Sequence, residues 1–505
     1  MKSESFLPVS NGQAISLKEL PDLAQDAFLN AILLGVRHGQ RLACLCADEG
    51  QRLYAVLADD SGRRLYAART RLESPRFPSL TPKCPQAHLF EREIAEQFGI
   101  VPEGHPWLKP VRFQSALPDG RDAWGRTENP APAVTDFYTV KGEEIHEVAV
   151  GPVHAGVIEP GHFRFQCHGE TVLHLEIALG YQHRGVEQAL IGGPGKLSLK
   201  HAETAAGDTT IAHAWAYCRV LEGLAGVAVQ PRSELVRAVA LELERLANHV
   251  GDLGALAGDV GFLPTASYCG RIRGDWLNLT AEVCGSRLGR DWLKPGGLRQ
   301  ELDPGLAERL RPRVDKAWDD TRDAIELLWA TASVMVRFEA AGHVDEAQAR
   351  AIGLVGVAAR ACGIDLDVRR DHVFGPYEGH TVASSIAHSG NVHARAWVRW
   401  EEIQESVRFI RKSLAELAEK PADPPPPPFP ALAPESFALA LTEGWRGEVL
   451  HLALTDRDGR FARYKIVDPS FHNWFGLALA LRGEQISDFP LCNKSFNLSY
   501  CGHDL

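Results

Sequence analysis

Two short stretches concentrate residues able to do chemistry. In EVAVGPVHAGVIEPGHFRF, His154, Glu159, His162 and Arg164 fall within eleven residues. Two imidazoles and a carboxylate are a donor set for zinc or a similar metal, and they can equally move protons near neutral pH. Pro160-Gly161 forms a turn between them, so the spacing alone does not make them converge. The second stretch is SFNLSYCGHDL, residues 495–505, which crowds Ser499, Cys501, His503 and Asp504 together. The chain has ten cysteines, none arranged as C-x-x-C. That removes the most specific sequence signal for zinc, nickel or iron–sulfur ligation. Scattered over such a length they do not make a disulfide scaffold either. Cys44 and Cys46 share one face of a strand, and Cys218 and Cys284 read as packed helix residues.

The elements that must position these groups belong to a globular protein. Hydrophobic residues make up 45% of the 505 and charged residues 24%. That balance is enough to bury a large core in several domains. A net charge of -11 argues against a nucleic-acid partner. No run approaches the roughly 18 apolar residues of a membrane span, and MKSESFLPVS lacks the apolar core of a secretory signal. The expectation is a cytoplasmic protein.

Periodicity divides the chain. Residues 1–113 read as a small α+β module. Helix-like LKELPDLAQDAFLNAILLG is followed by two strand-like runs with an Asp-Asp-Ser-Gly turn, then by the short amphipathic FEREIAEQFG. Residues 114–144, rich in Pro, Gly and Asp, read as a linker. From 145 to 505 the pattern is strands, then mostly helix. Ser233 is the expected N-cap of a helix carrying Val236, Val239, Leu243, Leu246, Val250 and Leu253 on one face, with Gly258 as its stop. Further helices are expected near 306–340 and 393–419. The Pro-rich run 421–434 cannot be helix or central strand. GEVLHLALTD and FARYKIV read as a hairpin followed by a short helix. The fold class is therefore α+β: a small sandwich-like module, then a large, mainly helical domain with an antiparallel sheet.

Several long motifs carry a resemblance. RFPSLTPKCP followed by FEREIAEQFGIVPEGHP resembles the 30-kDa-type subunit of respiratory complex I and its hydrogenase relatives. There Glu91, Arg92, His105 and Pro106 would serve docking, not catalysis. EVAVGPVHAGVIEPGHFRF, GYQHRGVEQ, LELERLANHVGDLGA, GIDLDVRRDH and RYKIVDPSFHN resemble the large subunits of group 4, energy-converting [NiFe]-hydrogenases of formate-hydrogenlyase type. These are homologous to the 49-kDa subunit of complex I. The resemblance covers 145–505 in the family's order and implies a hydrogenase large-subunit fold.

A [NiFe] centre requires four thiolates, which the family draws from two C-x-x-C motifs. Alignment of AETAAGDTTIAHAWAYCRVLEGLAG through Glu203, Gly207 and His213 puts the first two on Ala206 and Thr209. Alignment of the tail through Ser495 and Asp504 puts the others on Ser499 and Gly502, with Cys501 one residue off register. The expectation is no bound metal and no hydrogenase activity. The complex I branch instead has a tyrosine that holds the quinone headgroup. The matching segment, Thr204 to Gly207, has none, so quinone binding stays open but unsupported at its key residue.

The resemblance also implies roles for surviving polar residues. His249 would lie beside a [4Fe–4S] cluster in a small partner subunit; the alternative is a histidine on a polar helix face near Asp252. Arg446, in EGWRGE, matches an arginine that overhangs the family's active site, although Trp445 replaces a proline. Glu159, His162, Asp208 and His213 are candidates for a proton relay, with Arg446 at the same cavity. The expected partners are a small iron–sulfur subunit and membrane ion-translocating subunits. The expected place is peripheral, on the cytoplasmic side of the cell membrane. The function so implied is the large subunit of an oxidoreductase complex that couples electron transfer to ion movement without a NiFe centre. A non-catalytic scaffold and a quinone-reducing subunit are the alternatives.

Overall fold

The computed structural model describes residues 5–114, 122–126, 130–154, 158–424 and 426–505. Parts of the expected linker (115–121, 127–129), three residues of the histidine-rich stretch (155–157) and residue 425 of the Pro-rich run lie outside them.

The first module is a sheet with two helices. Its strands are β1 (Leu7–Val9), β3 (Asp22–Leu23), β4 (Arg41–Ala47), β5 (Arg52–Asp59) and β6 (Arg64–Arg71), ordered β1-β6-β5-β4 with β3 also on β6. β2 (Ala14–Ser16) leaves this sheet, as described below. α1 (Gln25–Arg37) and α2 (His88–Phe98) both contact β4. Every residue of β4 is buried, including the free Cys44 and Cys46. The expected early helix starts only at Gln25, because the Pro21 segment before it is held as β3 on β6.

The second module begins with an antiparallel sheet of β7 (Ile145–Val150), β8 (His162–His168) and β9 (Thr171–Ala178), ordered β9-β8-β7. Helices follow: α3 (Thr210–Ala225), α4 (Pro231–Asp259), α5 (Leu263–Cys284), α6 (Pro304–Trp329), α7 (Ala332–Ala340) and α8 (Val392–Glu419). α4 packs on α5 and α8, and both of these pack on α6, which closes a bundle. The apolar positions expected on α4 are all buried in it.

α4 starts two residues before the expected cap. Pro231 fits the first turn, where its missing N–H costs nothing. Ser233 lies inside the helix, and its hydroxyl is within hydrogen-bond distance of both Glu301 and Asp423, with one proton to give. The helix expected over 306–340 is two, α6 and α7, separated at Ala330-Thr331. Thr331 is extended, and its hydroxyl donates back to Leu327 O at 2.8 Å. Such a local bond competes with the helix. α8 matches its expected limits within a residue.

The C-terminal part holds β10 (Ser436–Gly444), β11 (Gly447–Thr455) and β12 (Phe461–Val467), then α9 (Pro469–Ala480), α10 (Phe489–Phe496) and the one-turn α11 (Tyr500–His503). The expected hairpin is β11–β12, and β10 is a further strand beside it. β2 completes this sheet through Ser16 opposite Ser436 and Ala14 opposite Ala438. The N-terminal segment is thus stitched into the far module, and one hydrophobic core runs through both. Buried ion pairs cross the same junction. Lys465 Nζ lies 2.7 Å from Glu93 and 2.9 Å from Glu187, and Arg41 lies 2.8 Å from Glu448. Glu93 also pairs with Arg112.

Candidate functional site

The site lies where the loop before α3, the β10–β11 turn and the C-terminal α11 meet. Ala206 and Thr209, on that loop, are buried. The turn consists of Trp445-Arg446 between the facing Gly444 and Gly447. It approaches Gly356 so closely that a Cβ there would lie 2.0 Å from Arg446 O. Only glycine fits such an approach. This packing aims Arg446 inward. Its guanidinium grips Asp208 through both carboxylate oxygens, at 2.6 and 2.8 Å, and donates to Thr209 Oγ1 at 3.2 Å and to Asn497 O at 2.5 Å. Trp445 stacks on it, 3.9 Å from ring centre to guanidinium, and donates its indole N–H to Asp208 O at 3.0 Å. The tryptophan therefore fixes the loop. Burial works against the Asp208 charge, but the guanidinium beside it holds the carboxyl below the usual range.

The other two positions are closed as well. Ser499 Oγ accepts the Gly502 N–H at 2.9 Å and so caps α11. Glu159 accepts the N–H groups of Tyr500 (3.2 Å) and Cys501 (3.3 Å) at the same turn. The Cys501 thiol is pushed up to about 11 by burial and the nearby Glu159 charge, the opposite of what a reactive thiolate needs. A [NiFe] centre does not fit this donor set. Alanine and glycine offer no side-chain donor, the Thr209 and Ser499 hydroxyls are engaged elsewhere, and Asp468 stands against Gly502.

A buried row of hydrogen bonds starts at Asp468. This residue caps α9 by accepting the Ser470 N–H at 2.8 Å. His213 Nε2 is 3.0 Å from Asp468 Oδ2, and His213 Nδ1 is 3.0 Å from His451 Nε2. His451 Nδ1 is 2.9 Å from the Tyr464 hydroxyl. Burial opposes the Asp468 charge, but the His213 bond and the Arg446 charge hold its carboxyl below the usual range. Burial, with His213 adding to it, holds His451 well below the usual imidazole range, hence neutral. One donor direction satisfies every bond: Tyr464 O–H donates to His451, His451 to His213, and His213 to Asp468. All four side chains are buried.

The expected relay residues thus stand in separate groups. Asp208 joins Arg446, His213 joins Asp468, and Glu159 caps the tail. His162 lies on β8, where its Nε2 accepts from Arg164 at 3.1 Å and its ring meets Phe137. His249 is fully buried, on a polar face of α4 that it shares with Arg245 and Asp252. Its Nε2 lies 2.8 Å from Glu402, and its Nδ1 has no partner among the described residues. Burial lowers its pKa, and Glu402 opposes this only in part. The neighbouring Asp252 is held by Arg399 at 2.8 Å. Among the described residues no group of three or more His, Cys, Asp or Glu could hold a metal ion.

Sequence reasoning missed Asp468, His451, Tyr464 and Glu244. Asp468 had a readable signal, since Asp-Pro-Ser after a strand is a helix start. Glu244 lies inside α4 and accepts the Ile211 N–H at 2.7 Å. Burial, with the Asp208 charge adding to it, drives its carboxyl up to about 8. Nothing in a heptad-like pattern marks it.

Comparison with known proteins places similarity along both modules. Residues 259–427 match the family model "Respiratory-chain NADH dehydrogenase, 49 Kd subunit", and residues 28–122 match "Respiratory-chain NADH dehydrogenase, 30 Kd subunit". Formate hydrogenlyase subunit 5 of Escherichia coli is 28% identical over 440 residues, covering 84% of this chain and 76% of that protein. The carbon monoxide-induced hydrogenase of Rhodospirillum rubrum is 30% identical over 353 residues, 70% of this chain and 97% of that protein. NADH-quinone oxidoreductase subunit 4 of Thermus thermophilus is 28% identical over 370 residues, 68% of this chain and 90% of that protein. No helix among the described residues is long and apolar enough to cross a membrane.

Proposed function

We propose a function from one premise: the chain belongs to the family that unites the complex I 49-kDa subunit with hydrogenase large subunits, preceded by a 30-kDa-type module. It is the large subunit of an oxidoreductase complex of this kind that works without a NiFe centre. Within it, the chain couples electron transfer from a small iron–sulfur partner to ion translocation by membrane subunits.

The observation that carries this reading is the Arg446–Asp208 clasp, at 2.6 and 2.8 Å, beside Ala206 and Thr209. This bidentate ion pair also engages the Thr209 hydroxyl and reaches Asn497 O ahead of the tail, and no thiolate pair stands there for a metal. The Tyr464–His451–His213–Asp468 row supports the coupling part. Protonation at one end can propagate along such a row because each imidazole both donates and accepts. The row ends at Asp468, which packs against Gly502. His249, buried and held by Glu402, is the candidate to lie near the partner's cluster without touching it.

Nickel analysis of the purified complex, expressed with hydrogenase maturation proteins, tests the first part. The expected content is far below one nickel per chain, and one per chain overturns it. Ion translocation by the complex carrying Tyr464→Phe tests the second part. The expected result is reduced translocation per electron with assembly intact. Unchanged translocation instead supports the scaffold reading, which the closed ion pair also favours.

A further inference from the structure

A cavity of about 640 Å³ opens at the junction of the two modules, away from the Arg446–Asp208 clasp. Its walls come from α2 (Leu89), the edge strand β9 (Leu173, Ile177), the loop after α2 (Trp107) and α9 (Trp474, Phe475). Leu173 is 37% and Phe475 39% exposed. The volume lies within the roughly 300–1,000 Å³ typical of small-molecule sites, which pair apolar walls with a few placed polar groups.

The polar groups here are biased toward positive charge. Arg92 reaches the cavity from α2 with its Nε and Nη2 fixed on the carbonyls of Lys109 (2.8 Å) and Pro110 (2.7 Å). It forms no ion pair among the described residues, and burial lowers its pKa to about 10. Its Nη1 has no protein partner among them. Arg482, at the mouth, is exposed and likewise without an ion pair among the described residues. The carboxylate on the lining, Glu176, is held by Lys109 Nζ at 2.9 Å and by the Tyr138 N–H at 2.8 Å. His88 and His105 are kept neutral by burial, at about 3 and about 4. His174 offers a buried Nε2 that has no partner among the described residues. A guanidinium pre-oriented by two carbonyls, with one edge free in an apolar cavity, is built for a carboxylate.

We propose that this cavity binds an amphipathic monocarboxylate, with its apolar body against Leu89, Leu173 and Phe475 and its carboxylate on Arg92 Nη1. Arg482 draws the anion to the mouth. The signature residues Arg92, His105 and Pro106 thereby form a ligand pocket as well as a docking surface between the modules.

Titration calorimetry on the full chain tests this, using dodecanoate, 1-dodecanol and phosphatidylglycerol vesicles as separate probes. The expected result is saturable 1:1 binding of dodecanoate, with dodecanol at least tenfold weaker. Arg92→Gln should weaken dodecanoate tenfold or more. Because Arg92 also holds the 109–110 loop, Leu173→Trp serves as the second variant. It fills the cavity from a half-exposed position and should abolish binding while the melting temperature stays unchanged. Equal binding of acid and alcohol, undiminished binding by the Leu173→Trp chain, or binding to vesicles alone would each overturn the proposal.

Discussion

Gly502 stands against Asp468 so closely that a Cβ at Gly502 would lie 2.6 Å from the carboxylate carbon. The aspartate cannot step aside freely, because it caps α9 and holds His213. The position where the family resemblance puts a metal thiolate is therefore closed to any side chain. Gly502→Cys is expected to destabilise the chain by about 1–3 kcal/mol through overpacking and to add no nickel. Thermal unfolding with metal analysis checks both; a stable variant binding one nickel would contradict the closure.

Removing one side of the Arg446–Asp208 clasp leaves the other charge without its partner. The Asp208 side chain is 36% exposed. The cost of Arg446→Leu should therefore fall between those of surface and buried pairs, at about 2 kcal/mol. Asp208 is held below its ordinary range in the fold. Its contribution is thus complete above that range and fades as pH falls through the lowered value. Denaturant melts of wild type and Arg446→Leu should converge in acid. A constant difference from neutral to acid pH would refute the pairing.

Glu244 supplies a pH dependence of the opposite sign. Its folded value of about 8 lies above the ordinary carboxyl value of 4.5, so between these limits the unfolded chain loses a proton that the folded chain keeps. Its contribution to stability is therefore greatest below the ordinary value and falls with rising pH, by about 1.4 kcal/mol per unit, until pH passes the folded value. Glu244→Gln keeps an acceptor for the Ile211 N–H. Relative to wild type it should gain stability progressively from pH 5 to 8. A gain that is flat with pH would show that Glu244 is ionised in the fold.

Lys465 joins carboxylates from both modules, Glu93 on α2 and Glu187. Lys465→Met leaves two buried anions with one fewer cation. The expected cost is roughly 3–5 kcal/mol, with faster amide exchange in α2 and β12 than in the α4–α8 bundle. Uniform loss of protection across the chain would instead mean that the modules unfold as one.

Much of the architecture was legible because it depends on local periodicity. The apolar stripe from Val236 to Leu253 predicted a buried helix, and FEREIAEQFG predicted α2 ending at Gly99, whose φ of 65° suits glycine. Motif order carried the family, which similarity over both modules supports. Boundaries that depend on competing local bonds were less legible. The break at Thr331 comes from one hydroxyl bond to Leu327 O, and Ser233 caps nothing because Pro231 begins the helix earlier.

The sequence by itself supplied the residues that the family resemblance sets at the four thiolate positions, since that reading rests on residue identity and register alone. It also determined that His213 and Asp208 lie near one another, one turn of α3 and its preceding loop apart. Only the tertiary structure decided their partners. Asp208 meets Arg446 and His213 meets Asp468 across more than two hundred residues, because β10 and β11 pack on α3 and β12, paired with β11, leads into Asp468. Hydrogen bonds and ion pairs act over about 3 Å, and sequence separation says nothing about which distant groups the packing of sheet on helix will bring within that reach.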